Sequence, residues 1–265
     1  MDLPPEIRNQ IYSYLFPPQR VLIDRHKLTH PRPHYRLHHN QISPREPETQ
    51  KLKCRPHNKC QRKFPTQLSL PFVSRQSYMD TLCLLYDSTQ FVFTSPKCLS
   101  SFLKNVPKQA QEVIRHIELK HTMNNEPTLS RFRELKFRGD RNWYSLCGRI
   151  VTSFTALKVV HIDLGVFDAP IALEIGESWS LPILVLQKVK GQAGKKREGG
   201  KGALDFARVR LRSGQFSKEA VRKVERQLEM ELMDPVKVQM RKDEKLARQL
   251  AGNRKATKVL RLVVK

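Results

Sequence analysis

Two short segments constrain the fold more than anything else in this chain. Ile114-Arg115-His116-Ile117-Glu118-Leu119 and Leu157-Lys158-Val159-Val160-His161-Ile162-Asp163-Leu164 each carry a histidine beside an isoleucine, then an acid, then a leucine. Both are dense in β-branched and other apolar residues and read as strands. Between them Trp143, Leu146, Ile150, Val151 and Phe154 recur at helical spacing. Strand, helix, strand at this separation predicts a right-handed parallel crossover. The expected fold class is therefore mixed α/β (α+β).

The neighbouring segments extend the pattern. Thr89-Gln90-Phe91-Val92-Phe93 reads as a short strand, preceded by a helix through Tyr78, Leu82, Leu85 and Tyr86. Ser95-Pro96 gives a cap and a first-turn proline for a helix through Leu99, Phe102 and Leu103, and Pro107 opens another short helix. Leu204 to Leu211 alternates basic with apolar residues like an edge strand. Ser217 can cap a helix carrying Val221, Val224, Leu228 and Leu232, and Asp234-Pro235 can begin a second one running to about Leu250. These last two helices, rich in charge pairs around Glu225 and Glu229, are expected to form a solvated, partly isolated pair. The two histidine-bearing strand units resemble in outline leucine-rich repeats, whose strands line a concave surface.

Charge divides the chain into zones. The 265 residues carry 49 Lys+Arg against 25 Asp+Glu, a net charge of +24. Residues 1–65 are at +8, residues 66–190 at only +4, and residues 191–265 at +12. The basic flanks would bind polyanions non-specifically and with strong salt dependence. Within the first flank, residues 17–65 combine repeated prolines, many polar residues and almost no periodicity, the composition of a loop or disordered insert. Residues 191–202 are rich in glycine and lysine and read as a flexible linker. No run of eighteen apolar residues exists, so no membrane insertion is expected. The first residues lack a charged-then-apolar signal pattern, and five irregularly spaced cysteines fit reduced thiols. Both features point to the cytoplasm or nucleus.

Little else has a chemical reading. Cys54, His57 and Cys60 lie within seven residues, with His30, His34, His38 and His39 upstream. Their spacing fits no common zinc finger, and the adjacent Arg55 and Lys59 oppose a cation, so no structural metal is expected. Cys83, Cys98 and Cys147 sit in apolar helical contexts as small core residues. His116 and His161 are expected at a core edge or surface rather than as bases. No Gly-x-Ser-x-Gly, phosphate-cradling glycine loop or His-Glu-x-x-His is present. Neither enzyme activity nor a cofactor is expected.

The opening Leu3-Pro4-Pro5-Glu6-Ile7-Arg8-Asn9-Gln10-Ile11-Tyr12 predicts a helix, with a proline in its first turn and a dipole-favoured acid. Ile7, Ile11, Tyr14 and Leu15 form one apolar stripe. An amphipathic core helix explains that stripe on pattern alone. The wording of the segment, together with Leu68-Ser69-Leu70-Pro71-Phe72-Val73-Ser74-Arg75-Gln76-Ser77-Tyr78 and Leu84-Leu85-Tyr86-Asp87-Ser88-Thr89-Gln90-Phe91-Val92-Phe93, resembles fungal F-box-like proteins of unknown function. Ser74 stands where those proteins often have cysteine, a small change for a buried position.

That resemblance implies a non-enzymatic interaction scaffold whose partner is the F-box adaptor of a cullin-type ubiquitin ligase, with this chain as substrate-recognition subunit. It makes Leu3, Pro4, Ile7, Ile11 and Leu15 adaptor-facing or core positions. It also implies a split F-box-like region over residues 1–16 and 66–94, interrupted by the insert at 17–65. A mixed region at 95–190, the linker at 191–202 and a mainly helical tail at 203–265 would follow. An F-box is a compact helical bundle, so its halves would have to meet across the insert. Loop closure permits this, since each doubling of length costs about 0.6 kcal/mol. The competing expectation is a basic nucleic-acid or chromatin-associated protein.

Overall fold

In the computed structural model, residues 3–28, 34–42, 74–123, 133–167, 173–189, 204–240 and 242–243 are described. Helix α1 (Pro5–Leu15) leads into a hairpin of β1 (Gln19–Leu28) and β2 (His34–Ile42). Then come α2 (Arg75–Ser88), β3 (Thr89–Phe93), α3 (Pro96–Asn105), α4 (Lys108–Glu112) and β4 (His116–Thr122). The chain continues through α5 (Arg133–Ser153), β5 (Val159–Gly165) and α6 (Leu181–Leu184), which runs into a 3₁₀ turn at Val185–Lys188. It reaches β6 (Phe206–Arg212) and α7 (Lys218–Leu232).

Among the described residues six strands form one sheet in the order β2-β1-β3-β4-β5-β6. Only the β1–β2 pair is antiparallel; β1, β3, β4, β5 and β6 run parallel, each added on the same side of the one before. The predicted β4–α5–β5 crossover is one step of this progression. The mixed α/β class holds.

Local chemistry explains most of the elements. Ser74, Ser95 and Ser217 each cap a helix by accepting an N–H three residues on, from Ser77, Cys98 and Ala220. At the far end of α3, Gln111 donates to the carbonyls of Leu103 (3.0 Å) and Val106 (2.7 Å), which satisfies orphaned acceptors in a buried place. Phe91, Phe93, Ile117, Leu119, Val160, Ile162, Leu164, Val209 and Leu211 point from the sheet into one core shared with α3, α5, α6 and α7. Trp143, Trp179, Phe93 and Phe154 are its largest fully buried members.

Three expectations need correction. The first concerns residues 17–65: 19–28 and 34–42 are strands, where a loop or disordered insert was expected. Strand β1 pairs with β3 from Gln19↔Thr89 to Ile23↔Phe93, so a ladder formed with a distant segment stabilises what composition could not. Residues 43–65, with Cys54, His57 and Cys60, lie outside the described residues, as does the linker at 191–202.

Second, residues 204–240 are no isolated helical tail. β6 completes the sheet, and Leu228 and Leu232 are fully buried in the common core. Residues 235–240 are helical as expected, with Asp234 accepting the Val236 N–H at 3.0 Å. Third, Ser74 and Cys83 are exposed rather than buried, whereas Cys98 and Cys147 are core residues.

β6 is an edge strand among the described residues, and its edge is covered. The Leu211 N–H donates to Glu225 Oε1 at 2.7 Å and the Val209 N–H to Glu229 Oε1 at 2.9 Å. The charge pairs expected on a solvated helix thus face inward on the strand. Partial burial raises the Glu229 carboxyl above its ordinary range, and the Val209 N–H works against that rise. Replacing both glutamates with alanine is expected to destabilise the fold by about 1–3 kcal/mol for each donor left unpaired. It should also produce concentration-dependent association through the bared edge, measured by urea unfolding and sedimentation velocity. Unchanged stability with a monomer at all concentrations would show the carboxylates to be incidental.

Candidate interaction surfaces

Helix α1 and the two residues before it hold the positions singled out by the family resemblance. Leu3, Pro4, Ile7 and Ile11 are all exposed, and Leu15 is half-buried. The residues turned inward are Arg8, Tyr12 and Phe16, with Tyr12 and Phe16 nearly buried and Arg8 Nη1 2.9 Å from Asp80 Oδ2 on α2. They follow the same helical spacing as the expected stripe but sit one residue further along, a rotation of about 100°. An ion pair and two aromatics anchor α1, and its aliphatic stripe is left outward: Ile7 is 44% exposed, Ile11 42% and Tyr14 78%. Met79 of α2 is exposed as well. The two segments that the resemblance separated by an insert do meet, since α1 packs on α2.

A second surface comes from the sheet itself. Strands of a parallel sheet covered on both faces read as continuous apolar runs. Here β4, β5 and β6 alternate, and α3, α5, α6 and α7 pack on the face that carries the common core. On the other face the register lines up Arg20, Gln90 and His116 in one row and Glu118, His161 and Arg208 in the next. Asp163 and Arg210 follow beyond.

The centre of this polar face is a network. Glu118 is only 3% exposed, and its carboxylate accepts from Arg20 Nη2 at 2.6 Å and from Gln90 Nε2 at 3.4 Å. Lys120 Nζ lies 3.9 Å away. The His116 and His161 rings meet edge to face at 5.0 Å, and His161 meets Phe206 at 5.5 Å. At the amino ends of the strands this network opens into a basin of about 530 Å³ whose rim includes Arg115, ion-paired with Asp87. Such a basin offers paired charges, amide and imidazole hydrogen-bonding groups and an aromatic edge. Burial raises the Cys147 thiol and removes it as a nucleophile.

His116 and His161 lie on the surface of the sheet, as their flanking residues led one to expect. What the strand pattern missed was their convergence with Glu118 and Arg20; the alternation His116, Glu118, Lys120 was the available signal.

Two imidazoles are held neutral. Burial, then His161 and Arg20, push His116 from 6.5 down to about 4; burial alone does the same to His121, whose ring lies 4.6 Å from Trp143. Between these values the unfolded chain binds more protons than the folded one, so stability rises with pH there. It is fully present above about 6.5, falls as the pH drops towards 4 and then levels. Urea midpoints measured across this window should slope less in a His116→Gln/His121→Gln variant than in the parent. Equal slopes would mean that neither ring is coupled to folding.

Among the described residues, no helix is long and apolar enough to cross a membrane, and no three His, Cys, Asp or Glu side chains are grouped to hold a metal ion. No curated protein and no solved structure matches the chain. A family does match, over residues 1–180, which takes in everything from α1 to the turn before α6. The chain belongs to the DUF7730 family, a domain of unknown function.

Proposed function

We propose that this chain is a non-enzymatic protein-interaction scaffold of the F-box type, in which α1 docks the adaptor of a cullin-type ubiquitin ligase. The polar sheet face would then receive the protein to be modified. One observation carries this reading. Helix α1 turns Ile7, Ile11 and Tyr14 to solvent, with Leu3 exposed just before it, while an arginine of the same helix faces inward. Contiguous aliphatic side chains on a surface helix are the usual mark of a docking site. By resemblance, Leu3, Pro4, Ile7, Ile11 and Leu15 are the adaptor-facing positions. The β-hairpin between α1 and α2 sets this arrangement apart from a purely helical bundle, so the docking surface is α1 itself.

The test is recovery of the adaptor with the full-length chain from cells. Leu3→Asp, Ile7→Asp and Ile11→Asp should each lower recovery by about tenfold or more, because each buries a charge in the interface. Their thermal midpoints should stay near the parent's, since these positions are exposed. Recovery that is absent from the parent, or equal in the variants, rules the assignment out.

A second reading, a basic nucleic-acid or chromatin-associated protein, is favoured by Arg208, Arg210 and Arg212, which stand exposed in a line along β6. Nucleic-acid binding that discriminates sequences at high salt supports it; sequence-blind, fully salt-sensitive binding reduces it to bulk charge.

A further inference from the structure

At the carboxyl ends of β3 and β4 lies a cavity of about 810 Å³ that no family motif touches. Its walls come from the turn before α3, the end of β4, the middle of α5 and the end of β6. Four cations line it, Lys97, Lys120, Arg149 and Arg212, and no carboxylate is among the described lining residues. Two of the four are partly matched from outside: Arg212 Nε is 2.6 Å from Asp163, and Lys120 lies 3.9 Å from Glu118. Lys97 and Arg149 have no carboxylate partner among the described residues. Arg149 Nη1 donates instead to Ser100 Oγ at 3.2 Å, which holds the guanidinium against α3.

Trp143 adds an independent sign. Its side chain lines the cavity and is 1% exposed, yet its indole N–H has no acceptor among the described residues. Buried donors of this kind are ordinarily paired, because leaving one unmade is unfavourable. The ten-residue helix α3 also begins at the cavity, so its positive dipole end reinforces the two free cations.

We propose that this cavity binds a small metabolite carrying a phosphate monoester, with Lys97 and Arg149 taking the phosphate. Two uncompensated cations match the roughly −1.5 to −2 charge of a phosphomonoester near neutral pH. Arginine's planar fork suits phosphate oxygens, and lysine adds a point charge. A volume of this size falls within the range of sites that enclose small organic molecules, and it leaves room beyond the phosphate for the organic part. The site is separate from α1 and from the basin at the opposite ends of the strands, so it stands or falls independently of the scaffold function.

The test is calorimetric titration of the full-length chain with glucose 6-phosphate, adenosine monophosphate and inorganic phosphate. Saturable one-to-one binding of at least one of the two organic phosphates is expected. Its affinity should drop about tenfold or more in Lys97→Gln and in Arg149→Gln. Lys97 is exposed, so its variant keeps the test valid if Arg149→Gln perturbs folding. An Arg222→Gln variant removes the same charge from the exposed side of α7 and should bind like the parent. The proposal is overturned by no binding at about 1 mM ligand, where any specific site worth about 4 kcal/mol would register. It is equally overturned by binding of inorganic phosphate alone, or by an affinity that follows net charge in all three variants alike.

Discussion

A chain ended after Val189 is expected to lose cooperative unfolding and to aggregate. Such a truncation removes β6 and α7, and with them Leu204, Val209, Leu211, Val221, Val224, Leu228 and Leu232, all members of the common core. The conformational entropy of those residues leaves with them, but the surface they covered does not. Val160, Ile162 and Leu164 of β5 would lose their neighbours, as would the 3₁₀ turn that packs against α7. Burial of each large apolar side chain contributes about 1.5–3 kcal/mol, and a whole domain is stable by only about 5–15 kcal/mol. The bared parallel edge of β5 would add a template for association. Far-UV circular dichroism and urea unfolding of residues 1–189 against residues 1–243 decide the matter. A single transition with an unchanged midpoint in the shorter chain would make β6 and α7 accessory. The expected result means that the family match, which ends at residue 180, stops short of the folding unit.

The second large effect is expected at Arg20. Arg20→Ala leaves the Glu118 carboxylate buried without its strongest partner, and removing one member of a buried pair typically destabilises by about 3–5 kcal/mol. Gln90 and Lys120 remain within reach of Glu118, which places the expectation at the lower end. Glu118→Leu should be milder, because Arg20 can still turn towards solvent, and the Arg20→Met/Glu118→Leu double variant should recover much of the loss. Urea unfolding of the four proteins in a double-mutant cycle measures the coupling. A change within about 0.5 kcal/mol for Arg20→Ala would show the pair to be a surface ornament. The pair matters structurally because it reaches from β1 across β3 to β4, and so fastens the hairpin to the parallel strands.

What could be read in advance depended on how local the determining physics is. The caps at Ser95 and Ser217, the helix after Pro107 and the alternating strands β4, β5 and β6 are set by neighbours within a few residues, and they were legible. Strand β1 was not: Val21-Leu22-Ile23 sits among basic and proline-rich neighbours, and the ladder that joins it to the parallel strands is with residues some seventy positions away. The orientation of α1 was misjudged by one residue because a hydrophobic count scores Arg8 as outward, whereas Asp80 on another helix draws it in. On the polar face each residue type was visible, but Glu118 meets Arg20 only once the register of three strands is known. The cationic cavity gave no signal at all, since Lys97, Lys120, Arg149 and Arg212 come from four elements.

A sheet that lays every new parallel strand on the same flank has no inherent length; like a ratchet, it could accept one more tooth indefinitely. The paired glutamates of α7 are its pawl. They occupy the two amide positions that a seventh strand, or the flank of another molecule, would have to claim first. Because a carboxylate accepts but cannot donate, an incoming strand finds both its own carbonyls displaced and a negative charge in its path. Finite size, in this protein, is written in one turn of a helix rather than in the sheet.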